Sequence, residues 1–320
     1  MTEFALEQLD SGSLEELQRR GSESTEANPL ELALNLRESP EPAASAVFAG
    51  ALMTGLKEIP LRISHDADNV LLGNIFRSGL AAALGSRGGL TTFADPHSPL
   101  NAPELSATWT PGTATFRAAM FRDGEDESTG LFGPNHAIFL NAHRTTTPPG
   151  PSSITRLVRR WLGHRLDDDR VTTCLHNVGF ALDQLVVNIT EHAVTEQTPS
   201  VTSLVRVELE GDDTAPPQAL VLVVVDTGAG ITTTLRAKLD EAPADSELLT
   251  ELLKGRLSRW GRGRGVGLSR LTQLVQDAGG TMFVAVRGTS VAVADNALTV
   301  DAASAAISGS VISLRLPLQS

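Results

Sequence analysis

Three short groups of polar and glycine residues carry the chemistry this chain could perform. The first is Gln184-Leu-Val-Val-Asn188-Ile-Thr-Glu191-His192-Ala193. An asparagine there offers a carbonyl oxygen to a hard divalent cation and an NH₂ to a phosphate oxygen. The second is Asp226-Thr-Gly228-Ala-Gly230, directly after the run Leu220-Val-Leu-Val-Val-Val225. A carboxylate at the end of a buried strand can accept from the amino group of a base, and the two glycines let backbone approach a ligand closely. The third is Gly263-Arg264-Gly265-Val266-Gly267-Leu268-Ser269, with Arg262 just before it. Glycines that open a helix leave its first amides and its positive dipole end free to hold an anion. Base, metal and phosphate chemistry in one chain describe a nucleotide site. Each group taken alone also has a plain structural reading: a surface asparagine, a tight turn capped by an aspartate, a loop before a helix. The glycine spacing is not the dinucleotide fingerprint, because the loop follows a polar segment and not a strand.

The elements that must position these groups are legible from periodicity. From about 172 to 194, Val178, Leu182, Leu185, Ile189 and Ala193 form the buried stripe of a helix. At about 100° per residue, Gln184, Asn188 and His192 fall along one line beside that stripe. Val205-Arg-Val-Glu-Leu209 alternates as a strand with one solvated face, and Leu220–Val225 is a strand buried on both faces. The polar stretch 232–261 reads as a mobile lid, acidic first (Asp240, Glu241, Asp245, Glu247) and then basic (Lys254, Arg256, Arg259). Leu268, Leu271, Leu274, Val275 and Ala278 give the following helix its apolar face, ending at Gly279-Gly280. Strands 281–286 and 311–318 follow, separated by an Ala/Val/Ser-rich insertion, 287–308, read as a hairpin turning at Asp295-Asn296.

Upstream, residues 1–27 read as a flexible tail, 28–145 as a small α/β domain that senses a signal or binds a partner, 146–153 as a Pro-rich linker and 154–320 as the site-bearing domain. Within the small domain, 30–36 and 43–56 have helix-forming composition, split by Pro40 and Pro42. Leu61–Ser64 reads as a strand, 70–84 as a helix capped by Asp66 or Asp68, and 114–121 and 136–140 as strands. Ser64-His65-Asp66 sits at a strand end, and not on the long helical hairpin that a phosphoacceptor histidine needs. His136 and His143 read as structural. The basic helix 154–166, with Arg156, Arg159, Arg160 and Arg165, reads as solvated surface over an apolar side of Leu157, Val158, Trp161 and Leu162.

Composition narrows the function classes. The chain has 320 residues, 41% of them hydrophobic, enough for two cores. No apolar run nears the roughly 18 residues of a membrane span. The acidic start lacks a secretory pattern, so a cytoplasmic protein is expected. A net charge of −12 argues against sequence-independent nucleic-acid binding. One cysteine, Cys174, excludes an intrachain disulfide, and seven scattered histidines give no pair at zinc-ligand spacing.

In this order the three groups resemble the ATP-binding module of the GHKL superfamily, which includes gyrase, heat-shock chaperones, histidine kinases and mismatch-repair ATPases. The likeness covers about 168–318 and is closest to the histidine-kinase-like version, through Gly263-Arg-Gly-Val-Gly-Leu-Ser, strand Thr281–Val286 and closing strand Val311–Leu318. It implies an α+β chain whose C-terminal part is a two-layer α/β sandwich, the Bergerat fold, with helices on one face of a mixed sheet. It implies ATP and Mg²⁺ as cofactors. Asn188 would hold the metal, with His192 in the tail of the same box; Asp226, Gly228 and Gly230 would hold adenine. Arg262, Gly263, Arg264, Gly265, Val266, Gly267 and Leu268 would hold the phosphates. One departure matters. Gyrase-type members carry a catalytic glutamate four residues before the asparagine, where this chain has Gln184, which has no carboxylate to act as a base. The lid also lacks a recognisable phenylalanine box, and no helical segment with a phosphoacceptor histidine precedes the module. The expectation is an ATP-binding regulatory protein, with three versions open: a protein kinase acting in trans, as anti-sigma-factor serine kinases do; a non-catalytic ATP-dependent switch; a slow ATPase. A protein partner is expected, and homodimerisation is compatible with the reading.

Overall fold

The computed structural model describes residues 3–38, 41–66, 75, 80–85, 87–98, 117–119, 137–142, 176–177, 179–182, 184–185, 188, 203–210, 218–237, 239, 243–257, 267–302 and 307–318. Everything said of the structure concerns these. The expected helix 154–166 lies outside them, as does the phosphate loop up to Val266.

An eight-stranded sheet organises the chain, in the order β11-β10-β9-β12-β8-β7-β6-β5. Its strands are β5 (Arg117–Ala119), β6 (Ala137–Ala142), β7 (Ser203–Glu210), β8 (Ala219–Asp226), β9 (Thr281–Val286), β10 (Thr289–Ala294), β11 (Ala297–Ala302) and β12 (Ser310–Pro317). All eight residues of β8 are buried, as a continuous apolar run at the middle of a sheet covered on both faces requires. Leu220, Leu222 and Val224 face one hydrophobic cluster, while Val221, Val223 and Val225 face another.

The α+β class stands. Two details differ from the expected sandwich. Every pairing in this sheet is antiparallel, where a mixed sheet was expected. For β7–β8, β9–β10 and β10–β11 short connections dictate this, because a parallel pair needs a crossover of a dozen or more residues. The insertion is the hairpin the sequence suggested: Ala294 faces Ala297, and Asp295 and Asn296 turn between them with φ of 49° and 61°. Such paired left-handed residues suit the right-handed twist of the flanking strands.

The second difference is that both faces of the sheet are covered. On one lie the helical residues described between 176 and 188, with Ile231–Arg236, Asp245–Leu253 and Gly267–Asp277. On the other lies the N-terminal half, a four-stranded parallel sheet β1-β2-β3-β4 (Phe4–Leu6, Leu30–Leu34, Leu61–His65, Thr91–Phe93) with its helices. Helix Pro42–Met53 packs directly on β8 and β12. It is apolar nearly all round, with the eight residues Ser45, Ala46 and Phe48–Met53 all buried. A helix of that kind belongs in an interior.

Three sequence expectations are corrected here. The tail contains β1 and a helix, Ser11–Gly21, capped by Asp10 Oδ1 accepting from the Ser13 amide at 2.7 Å. Leu6, Leu9, Leu14 and Leu17 are buried, and that apolar area holds an otherwise acidic segment. Leu30–Leu34 is a strand and not a helix, because parallel partners on both sides satisfy its backbone. Strand β6, from before the linker at 146–153, pairs with β7 after it and with β5 on its other side, so the sheet runs across that breaker segment.

The lid is also corrected. Asp245–Leu253 buries Leu248, Leu249, Leu252 and Leu253 against β10 and helix Gly267–Asp277, so this part of 232–261 is core. Leu249→Ala is accordingly expected to cost about 2–5 kcal/mol in chemical denaturation. A loss under about 1 kcal/mol would restore the picture of a loose lid. Among the described residues no helix is long and apolar enough to cross a membrane.

Candidate functional site

Asp226 closes β8 and is 6% exposed. The Gly228 amide donates to its Oδ1 at 2.9 Å, and Ser310, opposite it at the start of β12, donates from both hydroxyl and backbone. Burial nevertheless outweighs these three bonds and pushes the carboxyl up to about 6 from an ordinary 3.8. An acidic group desolvated this far accepts strongly from a donor brought to it.

The turn after Asp226 is built around two glycines. Gly230 has φ +80°, a conformation that glycine adopts without strain, and the Ile231 amide then donates to Ser310 Oγ at 3.2 Å. Gly309 approaches from the other strand. A Cβ there would stand 1.8 Å from the Asp226 carbonyl oxygen, so no other residue fits. Gly309 and Ser310 belong to the site and were missed in the sequence. Their only signal was a Gly-Ser pair opening the closing strand, and their partner lies across the sheet.

The helix face and the glycine helix also meet. Gln184 and Asn188 are half-buried helical residues, and Ala181, Leu182 and Leu185 beside them are buried on the sheet. A Cβ on Gly267 would come within 2.5 Å of Gln184 Oε1, so the glutamine amide lies against the first residue of helix Gly267–Asp277. Leu268 turns inward and is buried. Asn188 Nδ2 is buried with no hydrogen-bond partner. A buried donor without an acceptor costs about 1–3 kcal/mol, and a ligand oxygen would relieve it. That orphan donor, together with the hard carbonyl oxygen of the same amide, fits a polyphosphate with its divalent cation.

Of the expected site residues, Asp226, Gly228 and Gly230 are gathered in one turn, Gly267 and Leu268 open the helix that Gln184 lies against, and Asn188 is the helical residue four positions after Gln184. His192, Arg262, Gly263, Arg264, Gly265 and Val266 lie outside the described residues. Two arginines of 232–261 are engaged within that segment: Arg256 pairs with Glu251 at 3.3 Å, and Arg236 with Asp245 at 2.8 Å. Among the described residues no cluster of His, Cys, Asp and Glu could hold a metal alone.

A family model, that of the histidine kinase-, DNA gyrase B-, and HSP90-like ATPases, matches residues 177–320. No curated protein and no solved structure matches the chain. The matched span contains the asparagine helix, the Asp226 turn, the glycine helix and the closing strand, in the family's order. Residues 177–320 therefore belong to the GHKL superfamily as a histidine-kinase-like ATPase domain, the kind of domain that binds ATP.

Proposed function

We propose that the chain is a cytoplasmic regulatory protein whose C-terminal half binds Mg-ATP, and that a protein partner receives either the γ-phosphoryl group or the conformational signal. The observation that carries this is the buried Asp226 carboxylate. It ends a strand at a turn where Gly230 and Gly309 bring backbone close, and its raised pKa marks it as a group that gains from a further donor. Asp226 accepts from the adenine amino group. Asn188 would hold the phosphate tail and the metal, and the glycine motif 263–267 would supply the phosphate contacts. Mg²⁺, when bound, neutralises phosphate charge.

Gln184 decides between the versions. It occupies the position from which a base would activate water, and an amide cannot take a proton at neutral pH. Retention of ATP, or its transfer to a protein hydroxyl or imidazole, is favoured over hydrolysis.

Incubating the purified protein with γ-labelled ATP separates the readings. Label on protein supports the kinase, label retained as ATP supports the switch, and free phosphate supports the ATPase. Gln184→Glu is expected to raise phosphate release at least about 10-fold, a part of the roughly 10²–10⁴ that a positioned base supplies. Unchanged release by a variant that still binds ATP would show that residue 184 does not face the reacting water.

A further inference from the structure

The N-terminal half packs beside the Asp226 turn at the segment Ile307–Ser310. The segment Ile307–Ser310 is held between two layers. On its inner side Gly309 lies on the Asp226 carbonyl, and a Cβ on Gly230 would meet the Gly309 and Ser308 carbonyl oxygens at 3.3 and 3.4 Å. On its outer side lies the C-terminal turn of helix Pro42–Met53. Gly50 sits over the ends of β8 and β12 so closely that a Cβ would be 2.8 Å from Val311 Cγ2 and 3.5 Å from Val225 Cγ1. Those strands carry Ser310 and Asp226 one residue away. Ile307, 1% exposed, is buried in the same cluster as the helix.

A polar contact crosses this boundary. Thr54, the residue after the helix, donates its hydroxyl proton to the Gly50 carbonyl at 2.6 Å. That bond aims the oxygen lone pairs outward, and Thr54 Oγ1 accepts from the Ser308 amide at 3.3 Å. Ser308 is two residues from Ser310, which supplies two of the three donors on the Asp226 carboxylate. A shift of Ser308 moves Gly309 and Ser310 with it, because β12 begins at Ser310 and little slack lies between.

We infer that helix Pro42–Met53 is a structural part of the adenine site, and that Thr54 is a positioning residue setting ATP affinity through the Ser308–Ser310 segment. This rests on Asp226 being the adenine acceptor. It gives the N-terminal half a direct route to the nucleotide: any event that lifts the helix from β8 and β12 slackens the segment that holds Asp226. Coupling of this kind needs only a short packed chain of contacts.

The test uses the full chain and Mg-ATP, with affinity measured by calorimetry and stability by denaturation. Wild-type protein is measured first; if it binds no ATP, the function proposed above fails, separately from this inference. Thr54→Val keeps the volume and deletes the hydroxyl. It is expected to weaken ATP about 3- to 10-fold, the worth of one hydrogen bond. Thr54→Ser is expected to restore wild-type affinity, since it keeps the oxygen. In a Ser310→Ala background, Thr54→Val is expected to lose most of its effect, because the group it positions is gone. Unchanged affinity in Thr54→Val, no rescue by serine, or full additivity with Ser310→Ala would each overturn the inference. Thr54→Ala gives the same reading should the valine variant not fold.

Discussion

Asp226→Asn is expected to bind ATP about 10- to 100-fold more weakly than wild type, while the ligand-free variant is more stable at neutral pH. The first half follows from losing a charge-assisted hydrogen bond to the base. The second follows from desolvation. The carboxyl titrates at 3.8 unfolded and at about 6 folded, so between those values the folded chain holds a proton that the unfolded chain has released. Unfolding free energy from this group is therefore fully present below about pH 3.8 and is lost as pH rises through about 6. Two pKa units correspond to about 3 kcal/mol. Asparagine carries no charge at any pH and avoids that loss. Denaturation at pH 4 and at pH 7.5 checks it: the variant should gain on wild type only at the higher pH. An equal difference at both would show that Asp226 is not desolvated as described. ATP favours the ionised carboxylate, so wild-type affinity should also fall below about pH 6, and the asparagine variant should lack that part of the pH dependence.

Gly309→Ala should do more damage than one methyl group usually does. The added Cβ would stand 1.8 Å from the Asp226 carbonyl oxygen and 2.7 Å from its carbonyl carbon. Both are backbone atoms in a paired strand, and neither can rotate away as a side-chain tip would. Relief requires that β12 part from β8 at the end where Ser310 reaches Asp226. The expected cost is about 3 kcal/mol or more. That is a fall in melting temperature of about 6–12 °C, at roughly 2–4 °C per kcal/mol. ATP binding should be lost in the same variant at temperatures where it remains folded. A variant that folds and binds as wild type would mean that the Gly309–Asp226 approach is wider than described.

The parts of this fold that were legible in the sequence are those where one local rule acts alone. Leu220–Val225 is apolar without interruption, and only a central strand uses such a run. Leu268, Leu271 and Val275 keep helical spacing, and Asp295-Asn296 suits only a turn of left-handed residues. Expectations failed where a distant partner decided. Leu30–Leu34 has helix-forming residues but is flanked by β1 and β3, and ladder pairing overrode propensity. Leu248, Leu249, Leu252 and Leu253 carry a helical stripe that the surrounding charges obscured, so a core helix was read as a lid. In the site, Asp226 and Asn188 were visible because their chemistry is rare in apolar elements. Ser310 was not, since its role depends on register across the sheet.

The placement of helix Pro42–Met53 has a consequence for how the chain is made. Its partners β8 and β12 begin at Ala219 and Ser310, about 170 and 260 residues after the helix ends. At about 5–20 residues per second, a ribosome needs on the order of 10–30 s to deliver β8 and longer to deliver β12. Throughout that interval the face of this helix that packs on β8 and β12 has no sheet to cover it. The N-terminal half thus emerges first but can finish folding only when the last strand arrives. Newborn chains should therefore depend on chaperones until synthesis is almost complete, and truncations within the C-terminal half should aggregate rather than leave a soluble N-terminal fragment.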